Sequence, residues 1–134
     1  MKKELYPVHP ILLIDDEEQF LASAGFILKG AGISNIVTCS DSLQVLSLLR
    51  GQRFSVVLLD LFIPHLSGSE LLEEIVENFP GIPVIIVTAL NDEETAAQCL
   101  EKGAMDYLVK PLHTRVFIDA VNRAIKSRGD PILR

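Results

Sequence analysis

The sequence contains no tryptophan, only two cysteines and few aromatic residues, which make up 6% of its 134 positions. Cys39 and Cys99 have neither metal-binding nor redox spacing, so we interpret both as small buried thiols. A disulfide framework is not required, and a reducing compartment is expected. No apolar run approaches the roughly 20 residues needed to cross a bilayer, and the first residues lead into no signal-type segment. We therefore expect a soluble, cytoplasmic protein without membrane contact.

Positive charge is also in short supply. Twelve Lys and Arg stand against 18 Asp and Glu, giving a formal net charge of −6. This balance opposes binding to a nucleic-acid backbone, so we expect no direct nucleic-acid contact by this domain. A chain of this length that is 49% hydrophobic and 22% charged fits one globular core.

Short aliphatic runs alternate with amphipathic stretches along the chain, which predicts an α/β fold with a parallel sheet covered on both faces. Capping signals mark the helix starts: Ser40 or Asp41 for the second helix, Ser67 for the third, Asn91 or Asp92 for the fourth, and Thr114 for the fifth. The predicted strands are 10–14, 35–39, 55–59, 83–88 and 106–109, and the predicted helices are 17–29, about 41–51, 67–79, 93–102 and 115–127.

Charged and polar side chains stand where these apolar strands end. Asp15 and Asp16 follow the first strand, Asp60 the third and Lys110 the fifth, while Thr88 closes the fourth. Because ligands of open parallel sheets bind at the carboxyl ends of the strands, these side chains should converge. Viewed singly, each has an ordinary explanation; Asp16, for example, could simply favour the start of a helix. Their common placement indicates a site.

Three carboxylates brought together would repel one another unless a cation lay among them. Mg²⁺ is the cation we expect, since it prefers oxygen ligands and commonly binds one or two carboxylates with a phosphate oxygen. Lys110 and the Thr88 hydroxyl could then meet other phosphoryl oxygens. Asp60 is the plausible nucleophile, because phosphoryl transfer needs mainly in-line placement and charge neutralisation. The product would be an aspartyl phosphate.

From about residue 9 to residue 128, the chain resembles the receiver domain of a two-component response regulator. The resemblance rests on five spaced features taken together: Asp15-Asp16, the block 60–68, Thr88-Ala89, Tyr107 and Lys110-Pro111. It implies a doubly wound, flavodoxin-like fold of five parallel strands in the order 2-1-3-4-5. We therefore expect a receiver domain over residues 1–128, followed by a tail or linker over 129–134 that begins near Asp130-Pro131.

The resemblance also assigns roles to individual residues. It implies that Asp60 accepts phosphate from a histidine of a sensor kinase or phosphotransfer protein. Asp15, Asp16, Asp60 and the backbone carbonyl of Phe62 would bind Mg²⁺. Lys110 and Thr88 would bind phosphoryl oxygens, with the Lys110-Pro111 peptide in the cis form. Such a domain catalyses its own phosphorylation and slow dephosphorylation and is not an enzyme acting on a separate substrate.

Phosphorylation should act as a switch through Thr88 and Tyr107, as in the family, and alter the surface of the fourth helix, fifth strand and fifth helix. A homodimer through the fourth and fifth helices is expected. Segment 91–111 resembles receivers fused to ATPase activators of transcription, so transcription regulation is the expected output. Phe62 and Leu90 stand where many receivers carry polar groups that steer water, and we predict that they slow hydrolysis of the aspartyl phosphate.

Three alternatives belong to other classes. The first is a receiver-like module that docks partners without phosphate. The second is a flavodoxin-like cofactor binder, although no phosphate-binding loop rich in Ser, Thr and Gly follows the first strand. The third is a P-loop or dinucleotide enzyme; here Gly25, Gly30 and Gly32 fall within or after the first helix, whereas both glycine signatures require them at its entry.

Overall fold

The computed structural model describes residues 4–127, in which five strands alternate with five α-helices. The strands are β1 (Ile11–Ile14), β2 (Ile36–Cys39), β3 (Val56–Leu59), β4 (Val84–Thr88) and β5 (Asp106–Val109). The helices are α1 (Glu18–Gly30), α2 (Val45–Gly51), α3 (Gly68–Asn78), α4 (Glu93–Glu101) and α5 (Thr114–Ser127). Each strand lies within one residue of its predicted bounds. The aliphatic runs of β1, β3 and β4 are buried along their whole length, as expected for the inner strands of a parallel sheet, whereas β2 and β5 at the edges are partly exposed.

The strands form one parallel sheet in the order β2-β1-β3-β4-β5, which confirms the predicted topology. Strand β1 pairs with both β2 and β3, so that Ile14 lies between Cys39 and Leu59. The carboxyl ends of β1 and β3 are therefore level with each other. This register brings the residues that follow these strands, Asp15 and Asp60, to the same edge of the sheet.

Two hydrophobic cores cover the two faces of the sheet. On one face, alternate strand residues such as Ile11 and Leu13 pack with buried side chains of α1 and α5, including Leu28 and Phe117. On the other face, the intervening strand residues pack with α2, α3 and α4. Cys39 and Cys99 belong to this second core, and both are buried free thiols, as predicted. The sheet thus separates two apolar clusters.

The predicted caps are present at two helices. The Ser67 side chain accepts a hydrogen bond from the backbone N–H of Glu70 at 3.2 Å, and Asp92 accepts one from Thr95 at 3.2 Å. The α5 boundary differs slightly: Thr114 is already helical, and the Phe117 N–H bonds to the carbonyl of His113. The cap position is therefore one residue earlier than predicted.

The second helix departs more from its prediction. A 3-10 turn over Ser42–Gln44 precedes α2, and the Asp41 side chain caps that turn by accepting from the N–H of Leu43. The predicted single helix is therefore two short pieces. No helix within residues 4–127 has both the length and the apolar character required to cross a membrane. The predicted tail 129–134, including Asp130-Pro131, lies outside the described residues.

Candidate functional site

Asp15 and Asp16 follow β1 at the carboxyl edge of the sheet. The Asp15 N–H bonds to the carbonyl of Cys39 at 3.1 Å, which extends the strand pairing by one residue. The Asp15 carboxylate turns inward, where it is 1% exposed and accepts the backbone N–H of Glu17 at 2.9 Å. Asp16, the next residue, is exposed. The short turn into α1 thus buries one carboxylate of the pair and leaves the other in solvent.

Asp60 occupies the equivalent position after β3. Its N–H bonds to the carbonyl of Ile14 at 3.1 Å, and one carboxylate oxygen accepts the N–H of Phe62 at 3.2 Å. The side chain is buried, with the whole residue 5% exposed. Behind it, the backbone of α3 comes so close that a Cβ at Gly68 would lie 2.3 Å from the Asp60 carbonyl oxygen. Glycine at this position is what allows the loop to fold back tightly.

The carboxylates of Asp15, Asp16 and Asp60 form one cluster, in which one oxygen from each lies within 4.8 Å of the others. Burial raises the pKa of Asp15, and the neighbouring charge of Asp60 raises it further, against hydrogen bonds from Lys110 and Glu17 that lower it. Such a cluster is unfavourable without positive charge. An all-oxygen donor set with one solvent-facing member fits a hard cation that retains waters, such as Mg²⁺.

Lys110 supplies positive charge from the end of β5. Its Nζ lies 2.6 Å from Asp15 Oδ2, 3.2 Å from Asp60 Oδ2 and 3.4 Å from Glu17 Oε1. Burial alone would lower the pKa of Lys110, but the hydrogen bond to Asp15 and the charge of Asp60 outweigh it and raise the pKa. The Nζ also lies 4.0 Å from the centre of the Phe20 ring. The ammonium is therefore held charged at the centre of the site, and the Lys110-Pro111 peptide is cis, as predicted.

Thr88 and Tyr107 lie on the neighbouring strands β4 and β5. Thr88 is fully buried, and its hydroxyl accepts the backbone N–H of Leu90 at 3.4 Å. The Tyr107 hydroxyl donates to the carbonyl of Leu90 at 2.7 Å. The carbonyl of Thr88 in turn accepts the N–H of Lys110 at 2.8 Å. The peptide groups of Leu90 thus connect the two predicted switch residues.

The loop between β3 and α3 is held by a residue that sequence reasoning missed. Ser42 is 1% exposed; its hydroxyl donates to the carbonyl of Pro64 at 2.6 Å and accepts the N–H of Leu66 at 3.0 Å. Within this loop, His65 has a positive φ of 76°. Phe62 points outward and is 58% exposed, so it lies at the rim of the site. No local pattern marks Ser42, because its partners are more than 20 residues away.

Residues 11–122 match the family described as the response regulator receiver domain. This match covers most of the chain. The chain belongs to the response regulator receiver family. Receiver domains are the phosphorylation-dependent switch modules of two-component regulators, and their partners include histidine kinases.

Curated relatives are transcriptional regulators that are longer than this chain. The sequence is 37% identical over 102 residues to the transcriptional regulatory protein ZraR of Klebsiella oxytoca, covering 76% of this chain and 23% of that protein. It is 35% identical over 120 residues to AfsQ1 of Streptomyces coelicolor, covering 90% of this chain and 52% of that protein. The chain therefore spans between about a quarter and a half of these relatives.

Solved receiver domains share the fold over nearly the whole chain. A response regulator receiver domain from Clostridium thermocellum superposes with a TM-score of 0.83 at 33% identity, covering 91% of this chain and 98% of that one. A CheY-like receiver domain from Methanospirillum hungatei gives a TM-score of 0.83 at 26% identity, covering 94% and 98%. The predicted flavodoxin-like receiver fold is thereby confirmed.

The structure brings the three aspartates and Lys110 into one cluster, as the sequence predicted. Thr88 and Tyr107 meet at Leu90 beside this cluster. The roles assigned to these residues, and to the Phe62 carbonyl, stay predictions. Phe20 is the second residue of the site that sequence reasoning missed, because nothing local distinguishes it from an ordinary apolar position of the first helix.

Proposed function

We propose that this receiver domain accepts a phosphoryl group on Asp60 from a phosphohistidine of a sensor kinase or phosphotransfer protein, or from a small acyl phosphate. The observation that supports this most directly is the buried Asp60 carboxylate, whose Oδ2 lies 3.2 Å from the Lys110 ammonium within the acidic cluster. A carboxylate held beside a fixed cation can approach an anionic phosphoryl group without full charge repulsion.

In the proposed step, an Asp60 carboxylate oxygen forms a bond to phosphorus as the bond from phosphorus to the donor atom breaks. The leaving histidine nitrogen, or acetate oxygen for acetyl phosphate, takes the electron pair. Lys110 keeps its proton and stabilises the negative charge on one phosphoryl oxygen, and the Thr88 hydroxyl donates to another. The aspartyl phosphate is an acyl phosphate, whose hydrolysis returns the carboxylate.

Asp15, Asp16, Asp60 and the Phe62 carbonyl would hold Mg²⁺, which when bound supplies positive charge to the phosphoryl oxygens. The support for this assignment is the convergence of three carboxylate oxygens within 4.8 Å. Asp15 is held in place by the N–H of Glu17, and Asp60 by the N–H of Phe62. Each buried carboxylate therefore has one oxygen fixed by the backbone and another directed to Lys110.

The proposed switch passes through Leu90. At 3.4 Å, the hydrogen bond from its N–H to the Thr88 hydroxyl is long, so little stability is lost if that hydroxyl turns toward a phosphate. The Leu90 carbonyl accepts from Tyr107, so a shift of this peptide changes the environment of the tyrosine ring. Phosphate at Asp60 would then favour a second arrangement of α4 and β5, to the extent that it interacts better with that arrangement.

We propose that the altered surface controls a transcriptional output, through an output domain or a separate partner, and that it mediates a phosphorylation-dependent homodimer. Large apolar side chains exposed on α4, before β5 and on α5 support this surface: Leu100 is 48%, Met105 42% and Val116 49% exposed. The curated relatives, named as transcriptional regulators, support this output.

The primary test is intact mass after incubation with Mg²⁺ and acetyl phosphate. We expect wild type to gain one phosphoryl group that hydroxylamine removes, and Asp60→Asn to gain none. Asp119→Asn, an exposed carboxylate on α5, is the matched control and should behave as wild type. Chelation of Mg²⁺ should abolish the gain. A wild type that takes up no phosphate and binds no Mg²⁺ would refute the proposal and favour a phosphate-independent docking module.

We also propose that Phe62 and Leu90 slow hydrolysis of the aspartyl phosphate, because neither apolar side chain can orient a water molecule for attack. Phe62→Asn and Leu90→Glu should each shorten the lifetime of the phosphorylated protein severalfold. Phe26→Asn is the matched control, since Phe26 is 80% exposed on α1. Lifetimes in the two site variants that equal or exceed that of wild type would contradict the proposal.

A further inference from the structure

Phe20, in the first turn of α1, presents its ring to the Lys110 ammonium. The Nζ atom lies 4.0 Å from the ring centroid. This distance falls within the range in which a cation is attracted by the negative face of an aromatic ring. The ring is half-buried and packs against the hydrophobic core shared by α1 and α5. The ring is therefore held by this core on one side and contacts the lysine ammonium on the other.

The turn that precedes α1 connects Phe20 to the acidic cluster. The Asp15 carboxylate accepts the N–H of Glu17 at 2.9 Å, and the Glu17 carbonyl accepts the N–H of Leu21 at 3.1 Å. One turn of chain thus sets the position of the Asp15 carboxylate and of the Phe20 ring together. Lys110, which comes from the far end of the sequence, is placed between them.

The other neighbours of the ammonium are carboxylates, and their charge changes during function. Asp15 and Asp60 share their charge with any divalent cation that they bind, and Asp60 becomes an acyl phosphate on phosphorylation. A bound divalent cation weakens the attraction of the two carboxylates for Lys110, and phosphorylation moves the negative charge at residue 60 from the carboxylate to the phosphoryl oxygens. The Phe20 ring neither ligates a hard cation nor titrates, so its own electrostatic character is unchanged by either event.

We propose that Phe20 is a positioning residue for phosphoryl transfer, holding the Lys110 ammonium at the site through a cation–π contact. This inference rests on the proposed function of Lys110. A side chain held in place before reaction stabilises developing charge without first being ordered, which lowers the barrier to the chemical step. The ring therefore acts on the rate of phosphoryl transfer through the lysine and does not touch the phosphoryl group.

The first test compares Phe20→Leu with Phe26→Leu, a matched substitution at an exposed phenylalanine of the same helix. Phosphorylation by acetyl phosphate is followed at saturating Mg²⁺ in both variants and in wild type. We expect Phe20→Leu to lower the maximal single-turnover rate constant of phosphorylation about fivefold, equivalent to about 1 kcal/mol at 25 °C, with the half-saturating acetyl phosphate concentration changed less than about twofold. Phe26→Leu should match wild type.

A second measurement separates the electrostatic role of the ring from its packing. Phenylalanine with one, two or three ring fluorines, introduced at position 20 by nonsense suppression, keeps the ring shape while weakening its negative face. We expect the logarithm of the single-turnover rate constant of phosphorylation to fall steadily with the number of fluorines. A flat series would show that the ring serves packing alone and would overturn the inference.

A third measurement needs neither Mg²⁺ nor phosphate. In protein labelled with ¹³C-lysine, ring currents should shift the Lys110 Cε protons upfield, and Phe20→Leu should abolish that shift while Phe26→Leu retains it. An unshifted Lys110 resonance in wild type would overturn the contact itself. If wild type takes up no phosphate at all, the proposed function fails, and this inference with it; if wild type is phosphorylated and Phe20→Leu matches it, only the inference fails.

Discussion

Replacing Ser42 by alanine should destabilise the protein and loosen the loop that follows Asp60, the proposed phosphoacceptor. The Ser42 hydroxyl bonds to the Pro64 carbonyl at 2.6 Å and to the Leu66 N–H at 3.0 Å, and the residue is 1% exposed. Alanine removes both bonds. The Leu66 N–H retains a contact with the Pro64 carbonyl at 3.1 Å. The main loss is therefore the buried hydrogen bond from Ser42 to the Pro64 carbonyl, together with weaker hydrogen bonding of the Leu66 N–H. Together these cost about 2 kcal/mol.

Urea denaturation measures this loss directly. We expect Ser42→Ala to lower the free energy of unfolding by about 2 kcal/mol with an unchanged m-value, and to lower Tm by roughly 8 °C for a domain of this size. Ser40→Ala is the control, since Ser40 is exposed two residues earlier, and it should change stability by less than about 0.5 kcal/mol. If Ser42→Ala is as stable as Ser40→Ala, the hydroxyl does not hold the loop and the reasoning is refuted.

Two further predictions concern the same edge of the sheet. Gly68→Ala places a Cβ 2.3 Å from the Asp60 carbonyl oxygen, so it should destabilise the protein by about 3 kcal/mol. The control Gly25→Ala, with open space around the added Cβ, should stabilise α1 by about 0.5 kcal/mol. Equal unfolding midpoints of the two variants in urea would contradict this prediction. Burial raises the pKa of Asp15 above 3.8. Without a divalent cation, the folded state therefore binds the proton of the Asp15 carboxyl group more tightly than the unfolded state does. The free energy of unfolding should consequently fall as pH rises from 3.8 through the raised pKa. Asp15→Asn should remove that part of the pH dependence, and a profile identical to wild type would count against it.

The strands and the acidic cluster could be predicted because their signals are local. Uninterrupted aliphatic runs mark strands that are buried on both faces, and each polar residue directly after such a run must lie at the carboxyl edge of a parallel sheet. Asp15, Asp60 and Lys110 needed no further information. The level register of β1 and β3, which pairs Ile14 with Leu59, then places the two aspartates beside each other.

What the sequence could not predict depends on contacts between distant segments. The start of the second helix became a 3-10 turn, in which the Ser42 hydroxyl bonds to a loop more than 20 residues away. Met105 reads as a core residue by its chemistry, yet it is 42% exposed just before edge strand β5. Phe20 reads as an ordinary apolar helix position, and its contact with Lys110 spans 90 residues of sequence.

The two apolar clusters on opposite faces of the sheet have a consequence for how this protein can vary. Phe20 belongs to the cluster shared by α1 and α5, whereas Leu90 and Tyr107 pack against the cluster formed with α2, α3 and α4. In the proposed roles, the cluster shared by α1 and α5 supports Phe20, which promotes phosphorylation of Asp60. The cluster formed with α2, α3 and α4 supports Leu90 and Tyr107, which transmit the effect of phosphorylation. Substitutions confined to the face of α1 and α5 can therefore change the rate of phosphorylation without changing the surface that the phosphorylated domain presents to its partner.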